Sequence, residues 1–246
     1  MKLDSKKIKK YLATRKPEFK LFSMNYTDSE KDVINNFILE ETKLFSHYGS
    51  IEMINDSLEK FLSSIGTNTS RNIKKMGKLI INMIKKVLKG YNRTHFWMDI
   101  RVFQPDNDPF VPRWHKDGNI LESSVRTEKF ITVLKGPGTL LIQSTKKVND
   151  IFNKLFDKAR NETGPTSTHE QRMKINKKYQ LIYAKKFANE KIIQVKNSQG
   201  LVFIAGMPLD NSALHSEPKI DQPRMFISIV PGSKESIEIV EKKWNR

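Results

Sequence analysis

The hydrophobic repeat of this chain changes from a helical to an extended pattern at about Thr94. Before that point apolar residues recur every three or four positions, and after it short runs are rich in aromatic and β-branched residues. The extended runs form two groups, and a second helical stretch separates them. About eight short strands in two runs suit a double-sheet jelly roll, so we predict an α+β protein with such a core and with helices supporting one of its sheets.

The N-terminal 93 residues divide into a basic arm and a helical support region. Residues 1–26 are lysine-rich and show little periodicity, so we expect a basic arm that is mobile or loosely docked. The support region, 27–93, begins with Thr27-Asp28-Ser29-Glu30, which has the form of a capping box. Apolar residues at helical spacing then continue to Leu44 and Phe45, and a second helix is predicted from about Ile51 to Ile65.

The third predicted helix is the best defined and the most basic. Thr69 and Ser70 offer N-caps and Gly90 offers a stop. Residues 71–93 contain eight Lys/Arg and no acid. Such a helix could contact phosphates or lipid head groups. The alternative, favoured by the broad apolar stripe, is a supporting helix that packs on a sheet and keeps its lysines in water.

The region 94–246 is expected to form the β core. Its predicted strands are 94–104, 129–134, 139–143, 192–195, 201–205, 213–217 and 225–230. Lys135-Gly136-Pro137-Gly138 is typical of a tight turn, so we expect the second and third strands to form a hairpin. Residues 145–190 are interpreted as a helical insert with a break at 163–168, and 233–244 as a closing helix.

Composition restricts the class of protein. The chain has 246 residues, no cysteine and a formal net charge of +17. Disulfides, thiolate metal sites and cysteine nucleophiles are therefore excluded. No apolar run approaches the ~18 residues of a membrane span, and residues 1–20 are too charged for a secretory signal, so we expect an intracellular, cytoplasmic protein. The charge favours acidic partners. A lysine-rich composition imposed by an AT-rich genome is the somewhat better explanation, because the charge is spread over several segments.

The motif Trp114-His115-Lys116-Asp117-Gly118 follows the first predicted strand and its loop. In an extended segment, residues i and i+2 point to the same side, so His115 and Asp117 can reach one ion. His215, 100 residues later, lies in a short predicted strand and can supply a second imidazole. Two imidazoles and one carboxylate on one face of Fe(II) leave three positions open for cosubstrate and oxygen. We therefore expect an iron centre at His115, Asp117 and His215.

Arg224 opens the last predicted strand. Its planar guanidinium can hold a carboxylate through two parallel hydrogen bonds. An arginine there is suited to anchor an oxoacid cosubstrate beside the iron.

These motifs and the order of elements from Thr94 to Val230 resemble the Fe(II)- and 2-oxoglutarate-dependent oxygenases. The resemblance implies a double-stranded β-helix (a jelly-roll, cupin-like core), iron bound by His115, Asp117 and His215, and 2-oxoglutarate bound by Arg224. It also implies oxidative decarboxylation of 2-oxoglutarate by O2 to succinate and CO2, coupled to hydroxylation of a C–H bond of the substrate.

The sequence departs from the family's usual pattern after the arginine. Many members carry Ser two residues after the Arg, where this chain has Phe226. Thr132 and Thr139 are candidates to supply the missing hydroxyl to the cosubstrate. The retained Asp117 argues against the halogenase variant of the family, and the arginine-rich pattern of the nucleobase demethylases is absent.

The substrate is left open by the sequence. The insert and its flank, 145–196, hold 13 Lys/Arg against 5 Asp/Glu. Together with the basic helix at 71–93, this charge motivates an acidic substrate: a nucleic acid, a phosphorylated metabolite or an acidic protein segment. Two other functions compete with the oxygenase, namely a catalytically silent jelly-roll binding protein and a basic nucleic-acid-binding module on a β scaffold.

Overall fold

The computed structural model describes residues 1–14, 16–118, 127–206 and 212–244. Its helices are α1 (Ser5–Thr14), α2 (Asp28–Asn36), α3 (Asn55–Ser63), α4 (Ser70–Tyr91), α5 (Lys146–Glu162), α6 (His169–Lys186) and α7 (Lys234–Trp244). Its strands are β1 (Phe19–Ser23), β2 (Lys43–Ser50), β3 (His95–Phe103), β4 (Thr127–Lys135), β5 (Leu140–Ile142), β6 (Ile192–Gln194), β7 (Gln199–Ala205), β8 (Leu214–Ser216) and β9 (Arg224–Gly232).

The strands form two antiparallel sheets. The large sheet has the order β1-β7-β4-β9-β3-β2 and the small sheet has the order β6-β5-β8. From β4 onward the chain passes between them: β4 is in the large sheet, β5 and β6 in the small, β7 in the large, β8 in the small and β9 in the large. This winding of one chain through two sheets is the double-stranded β-helix, and it confirms the predicted fold class.

The two faces of the large sheet have different roles. Met225, Ile227 and Ile229 of β9 share one apolar core with the buried stripe of α4. The alternating residues, Arg224 and Phe226, point the other way, into a cavity beside the small sheet. The helices therefore support the large sheet from behind, and the interior of the β-helix is left for a site.

The N-terminal residues are built into the fold, unlike the loosely docked arm that we expected. Helix α1 buries Ile8 and Tyr11, and β1 pairs with β7 at the edge of the large sheet. A Cβ added at Gly90 would lie 2.8 Å from atoms of Ile8, so the glycine permits the close approach of α1 to α4. The lysines of this segment lie on the exposed side of an amphipathic helix.

Two predicted helix boundaries were wrong. The capping box at Thr27 and Glu30 is present, but α2 ends at Asn36. Leu44 and Phe45 lie instead in β2, where they pair with β3. Helix α4 continues through Gly90 to Tyr91 and is capped by Asn92, which adopts the left-handed conformation with φ of 53°. Pairing with β3 overrides the helical pattern at Leu44 and Phe45, and packing of α1 against α4 overrides the stop signal at Gly90.

The predicted hairpin of β4 and β5 was also wrong. The turn exists, but it carries the chain from the large sheet to the small one, and β5 pairs with β6 and β8. Gly136 there has φ of +87°, and a Cβ on Gly138 would collide with the Val195 carbonyl. The two glycines thus permit the close packing of the backbone where the chain passes from one sheet to the other. The helical insert and its break are confirmed as α5 and α6.

None of the helices in the described residues combines the length and the apolar character needed to cross a membrane.

Candidate metal centre

His115 and His215 face each other across a two-residue antiparallel bridge. The backbone N–H of His115 donates to the carbonyl of His215 at 2.9 Å, and the reciprocal bond is 3.0 Å long. Since His215 belongs to β8, the bridge attaches the His-x-Asp segment to the edge of the small sheet. The two imidazole rings lie with their centroids 4.2 Å apart.

Asp117 completes a group of three converging side chains. Its Oδ1 lies 3.8 Å from Nε2 of His115 and 3.8 Å from Nε2 of His215. Its backbone carbonyl accepts a hydrogen bond of 2.9 Å from the N–H of Gly206, at the end of β7. The carboxylate is therefore positioned by both sheets. One ligand atom from each of the three residues lies within 4.8 Å of the others.

Backbone carbonyls fix the orientation of both imidazoles. Nδ1 of His115 lies 2.8 Å from the Arg113 carbonyl, and Nδ1 of His215 lies 3.0 Å from the Ala213 carbonyl. A carbonyl can only accept, so each Nδ1 must carry the proton and each Nε2 is left with a free lone pair. Metal-binding histidines are held in this way in proteins, with the second nitrogen hydrogen-bonded.

Lys129 holds the other carboxylate oxygen of Asp117. Its Nζ lies 3.1 Å from Oδ2, while Oδ1 faces the histidines. Burial by itself raises the pKa of Asp117, but the charge of Lys129 and its hydrogen bond, together with the adjacent imidazoles, outweigh burial and bring that pKa well below its usual range. Asp117 is thus ionised near neutral pH, as a metal ligand must be.

His215 is kept neutral by its surroundings. It is buried, and burial together with the neighbouring His115 lowers its pKa to about 4. A neutral imidazole is the form that binds metal, so the site needs no deprotonation at this position near pH 7.

The chemistry of the donor set fits a divalent first-row metal. The 3.8 Å separations are too long for hydrogen bonds, so neither imidazole is satisfied by the carboxylate. Two imidazole nitrogens and one carboxylate oxygen, close to a common point, are the donor set that the facial triad of non-haem Fe(II) sites uses. His115, Asp117 and His215, which the sequence predicted as ligands, are thus brought together.

Arg224 lies at the other end of the same small cavity, which has a volume of about 230 Å³. The side chain is 1% exposed, and its Nε donates to the Pro137 carbonyl at 2.8 Å. Its guanidinium carbon stacks 4.9 Å from the centre of the Phe226 ring. Burial lowers its pKa to about 10, so it stays charged near neutral pH. No carboxylate pairs with this buried cation within hydrogen-bonding distance among the described residues, and an anionic ligand would fill that role.

The two threonine candidates lie on opposite sides of the large sheet. Thr139 lines the small cavity, and its hydroxyl oxygen lies 3.4 Å from a terminal nitrogen of Arg224. Thr132 points away from the cavity, because in β4 it is Lys129 and Ile131 that point inward. Its hydroxyl donates to the Gln199 carbonyl at 2.9 Å instead. The structure places Thr139 with Arg224 and separates Thr132 from both.

Sequence reasoning missed three features of the site. Lys129 was not predicted as a site residue. The alternation of β4 indicates which side its side chain faces, but only the fold shows that Asp117 lies on that side. Phe226 was noted only as the absence of Ser, yet it stacks under Arg224. Arg113 and Glu217 form a two-bond ion pair of 2.5 and 3.3 Å beside the histidines.

The basic helix α4 does not contribute to the site. Its apolar stripe packs on the face of the large sheet that lies away from the cavity. This is the supporting role that the broad apolar face favoured. Its charge therefore cannot add to that of the insert around the metal centre, contrary to the arrangement that motivated an acidic substrate.

Comparisons with known proteins give structural likenesses only. No protein-family model matches the chain, and no curated protein matches it. Among solved structures, it is similar to the apo Kdo hydroxylase KdoO, a non-heme Fe(II) alphaketoglutarate dependent dioxygenase, at 8% identity over 96% of this chain and 87% of that one, with a TM-score of 0.48. HygX from Streptomyces hygroscopicus with iron bound matches at 12% identity over 91% and 86% of the two chains, with a TM-score of 0.48.

A Pseudomonas putida prolyl-4-hydroxylase matches at 8% identity over 93% and 98%, with a TM-score of 0.42. The structures that this chain resembles thus include a non-heme Fe(II) alphaketoglutarate dependent dioxygenase. The sequence motifs resemble the same class of enzyme. At such identities and scores the functional argument depends on the site itself.

Proposed function

We propose that this protein is a non-haem Fe(II)- and 2-oxoglutarate-dependent oxygenase that hydroxylates a C–H bond of its substrate and releases succinate and CO2. The observation that carries the proposal is one small cavity with two complementary ends. At one end three ligand atoms converge, and at the other lies a buried arginine with no carboxylate partner among the described residues.

Each end supports one part of the chemistry. His115, Asp117 and His215 would hold iron, which supplies O2 activation when it is bound. Arg224 would bind the distal carboxylate of 2-oxoglutarate through its remaining N–H groups, and Thr139 would support that contact. A volume of about 230 Å³ suits a small dicarboxylate.

The residues around the triad keep the site ready for use. The Arg113 and Ala213 carbonyls set both imidazole tautomers and would leave each Nε2 to hold the metal. Lys129 holds Oδ2 of Asp117, which would leave Oδ1, the oxygen nearer both imidazoles, as the carboxylate ligand atom.

The test is a single-turnover experiment. The protein is loaded with Fe(II) and 2-oxoglutarate without oxygen, and the visible charge-transfer absorption of a metal-bound 2-oxoacid is recorded. A pulse of oxygen should then remove that absorption and release succinate. His215→Ala should show neither signal, whereas His169→Ala, altered at an exposed residue of α6, should behave as the parent protein.

The alternatives give different results in the same experiment. A parent protein that develops the absorption but forms no succinate would be a silent binding protein if succinate is still absent after prolonged exposure to oxygen with ascorbate, which supplies the two electrons that a substrate C–H bond would otherwise give. A parent protein that never develops the absorption does not bind the pair, and the oxygenase proposal would be abandoned.

A further inference from the structure

A second and larger cavity adjoins the metal centre. It lies between α5, α6 and the segment of Arg113 to Lys116, and its volume is about 900 Å³. His115 and Arg113 line both this outer cavity and the small one. A molecule in the outer cavity would therefore reach His115 without occupying the place of the Arg224 anchor, which lines the small cavity and not the outer one. The volume lies within the usual range for a small-molecule site.

The walls of the outer cavity are mainly apolar. Its aromatic and aliphatic lining residues are Trp114, Phe152, Phe156, Ala159, Met173, Tyr179 and Tyr183. Phe156 and Met173 are 38% and 55% exposed, so the apolar surface extends to the solvent. Apolar side chains that are exposed at the rim of a concave site favour an apolar ligand, because binding removes them from water.

Among the described residues, positive charge without an ion-pair partner lies at the end of the cavity that is distant from the histidines. The cations at the near end are engaged: Arg113 is paired with Glu217, and Lys116 donates to Asn149 and lies 5.2 Å from the Phe152 ring.

Arg160 follows Phe152 by eight residues on α5, which corresponds to about 12 Å along the helix. On α6, Lys177 precedes Tyr183, which stacks on Phe152, by six residues, or about 9 Å. Neither Arg160 nor Lys177 has an ion-pair partner among the described residues, whereas the neighbouring Lys174 is paired with Glu170.

We propose that the outer cavity binds an amphipathic anion, with its apolar body among the aromatic rings and its carboxylate, sulfate or phosphate at Arg160 and Lys177. The apolar end would then point toward His115. This part of the proposal rests on the proposed oxygenase function: the C–H bond to be hydroxylated belongs to the apolar end. The ~12 Å between Phe152 and Arg160 along α5 sets the approximate length of the ligand. The binding itself requires no metal and no turnover.

Calorimetric titration with three probes tests the ligand class. Decanoate combines a carboxylate with a chain of about the required length, decan-1-ol has the chain without the charge, and acetate has the charge without the chain. We expect decanoate to bind, decan-1-ol to bind roughly threefold to tenfold more weakly, and acetate to give no heat. Equal binding of decanoate and decan-1-ol would remove the anion from the proposal.

Matched variants test the location. Ala159→Trp fills the cavity from α5 and should abolish decanoate binding. The exposed double variant Arg160→Glu/Lys177→Glu should lower decanoate affinity at least tenfold and leave decan-1-ol unchanged. Its control, Lys158→Glu/Lys185→Glu, makes the same change in net charge on the same two helices at exposed residues outside the cavity lining. If the control lowers the affinity equally, the binding is not in this cavity.

Two further outcomes are informative. Tight, salt-dependent binding of a 20-nucleotide single-stranded DNA, weakened equally by both double variants, would overturn the proposal in favour of a general nucleic-acid surface. Failure of the single-turnover experiment with intact decanoate binding would reject the oxygenase but keep the cavity's ligand class. An intact single turnover without decanoate binding would reject the ligand class of the outer cavity and keep the oxygenase.

Discussion

His115 and His215 are 100 residues apart in sequence, and each donates its backbone N–H to the carbonyl of the other. This bridge places the two imidazoles with their centroids 4.2 Å apart. The backbone pairing fixes the relative position of the two rings, so the ligand geometry is a property of the fold.

Removal of either imidazole should abolish metal binding. Mn(II), a spectroscopic substitute for Fe(II), should bind the parent protein at one ion per chain. His115→Ala and His215→Ala leave only two ligands, so stoichiometric binding should be lost, as measured by the free Mn(II) electron paramagnetic resonance signal. His169→Ala is the control. If both triad variants retained the parent stoichiometry, the metal site would have to be elsewhere.

Replacement of Arg224 by Lys should weaken 2-oxoglutarate binding to the Mn(II)-loaded protein. The charge is kept, but the planar pair of donors is lost, so we expect the Kd to rise roughly tenfold or more, in line with ~1.5–3 kcal/mol for a hydrogen bond to a charged group. Calorimetry measures the Kd, and Arg93→Lys, an exposed residue beyond α4, is the control. An unchanged Kd would exclude Arg224 as the anchor.

The two threonines should respond differently to the same substitution. Thr139→Val removes a hydroxyl that lines the cavity beside Arg224, so the Kd for 2-oxoglutarate should rise about threefold to tenfold, as expected for ~0.5–1.5 kcal/mol. Thr132→Val acts on the opposite face of β4 and should leave that Kd unchanged. A larger effect at Thr132 than at Thr139 would reverse the assignment.

The triad could be predicted from the sequence because each of its two parts has a local signal. His115 and Asp117 lie on the same side of any extended segment, and His215 lies in a segment that has the residue pattern of a strand. Lys129 was missed because its role depends on Asp117, which approaches β4 only in the folded chain. Thr132 was proposed without regard to parity, although the inward-pointing residues of β4 are Lys129 and Ile131.

The elements that escaped prediction depend on long-range pairing. β1 and β2 are the outermost strands of the large sheet, and their burial patterns do not alternate cleanly. Their partners, β7 and β3, are distant in sequence. The corner at Gly136 had the composition of a hairpin turn, and only the sheet to which β5 pairs distinguishes the two. Local signals identified these segments less well than the helices with caps.

Two glycines of α4 should respond in opposite ways to alanine. Gly77→Ala adds a Cβ at an ordinary 3.8 Å from Leu62 and should stabilise the protein by ~0.5–1 kcal/mol through helix propensity. Gly90→Ala adds a Cβ only 2.8 Å from Ile8, so crowding of α1 should destabilise the protein by ~1–3 kcal/mol despite the same gain in propensity. Urea denaturation measures both. A stabilised Gly90→Ala would mean that α1 is not docked on α4 in solution.

The metal-free protein should lose stability in mildly acidic solution because of His215. Burial and His115 lower the pKa of His215 from 6.5 to about 4, so between these pH values the unfolded chain binds a proton that the folded chain does not. The stabilisation is therefore complete above about pH 6.5 and is lost as the pH falls toward 4, with a total of a few kcal/mol at most. His47, whose pKa burial also lowers, contributes in the same direction. The free energy of unfolding, measured in urea with a chelator from pH 7 to pH 4, should fall less steeply for His215→Gln than for the parent or for His169→Gln. Equal slopes for all three proteins would show that His215 is not kept neutral by the fold.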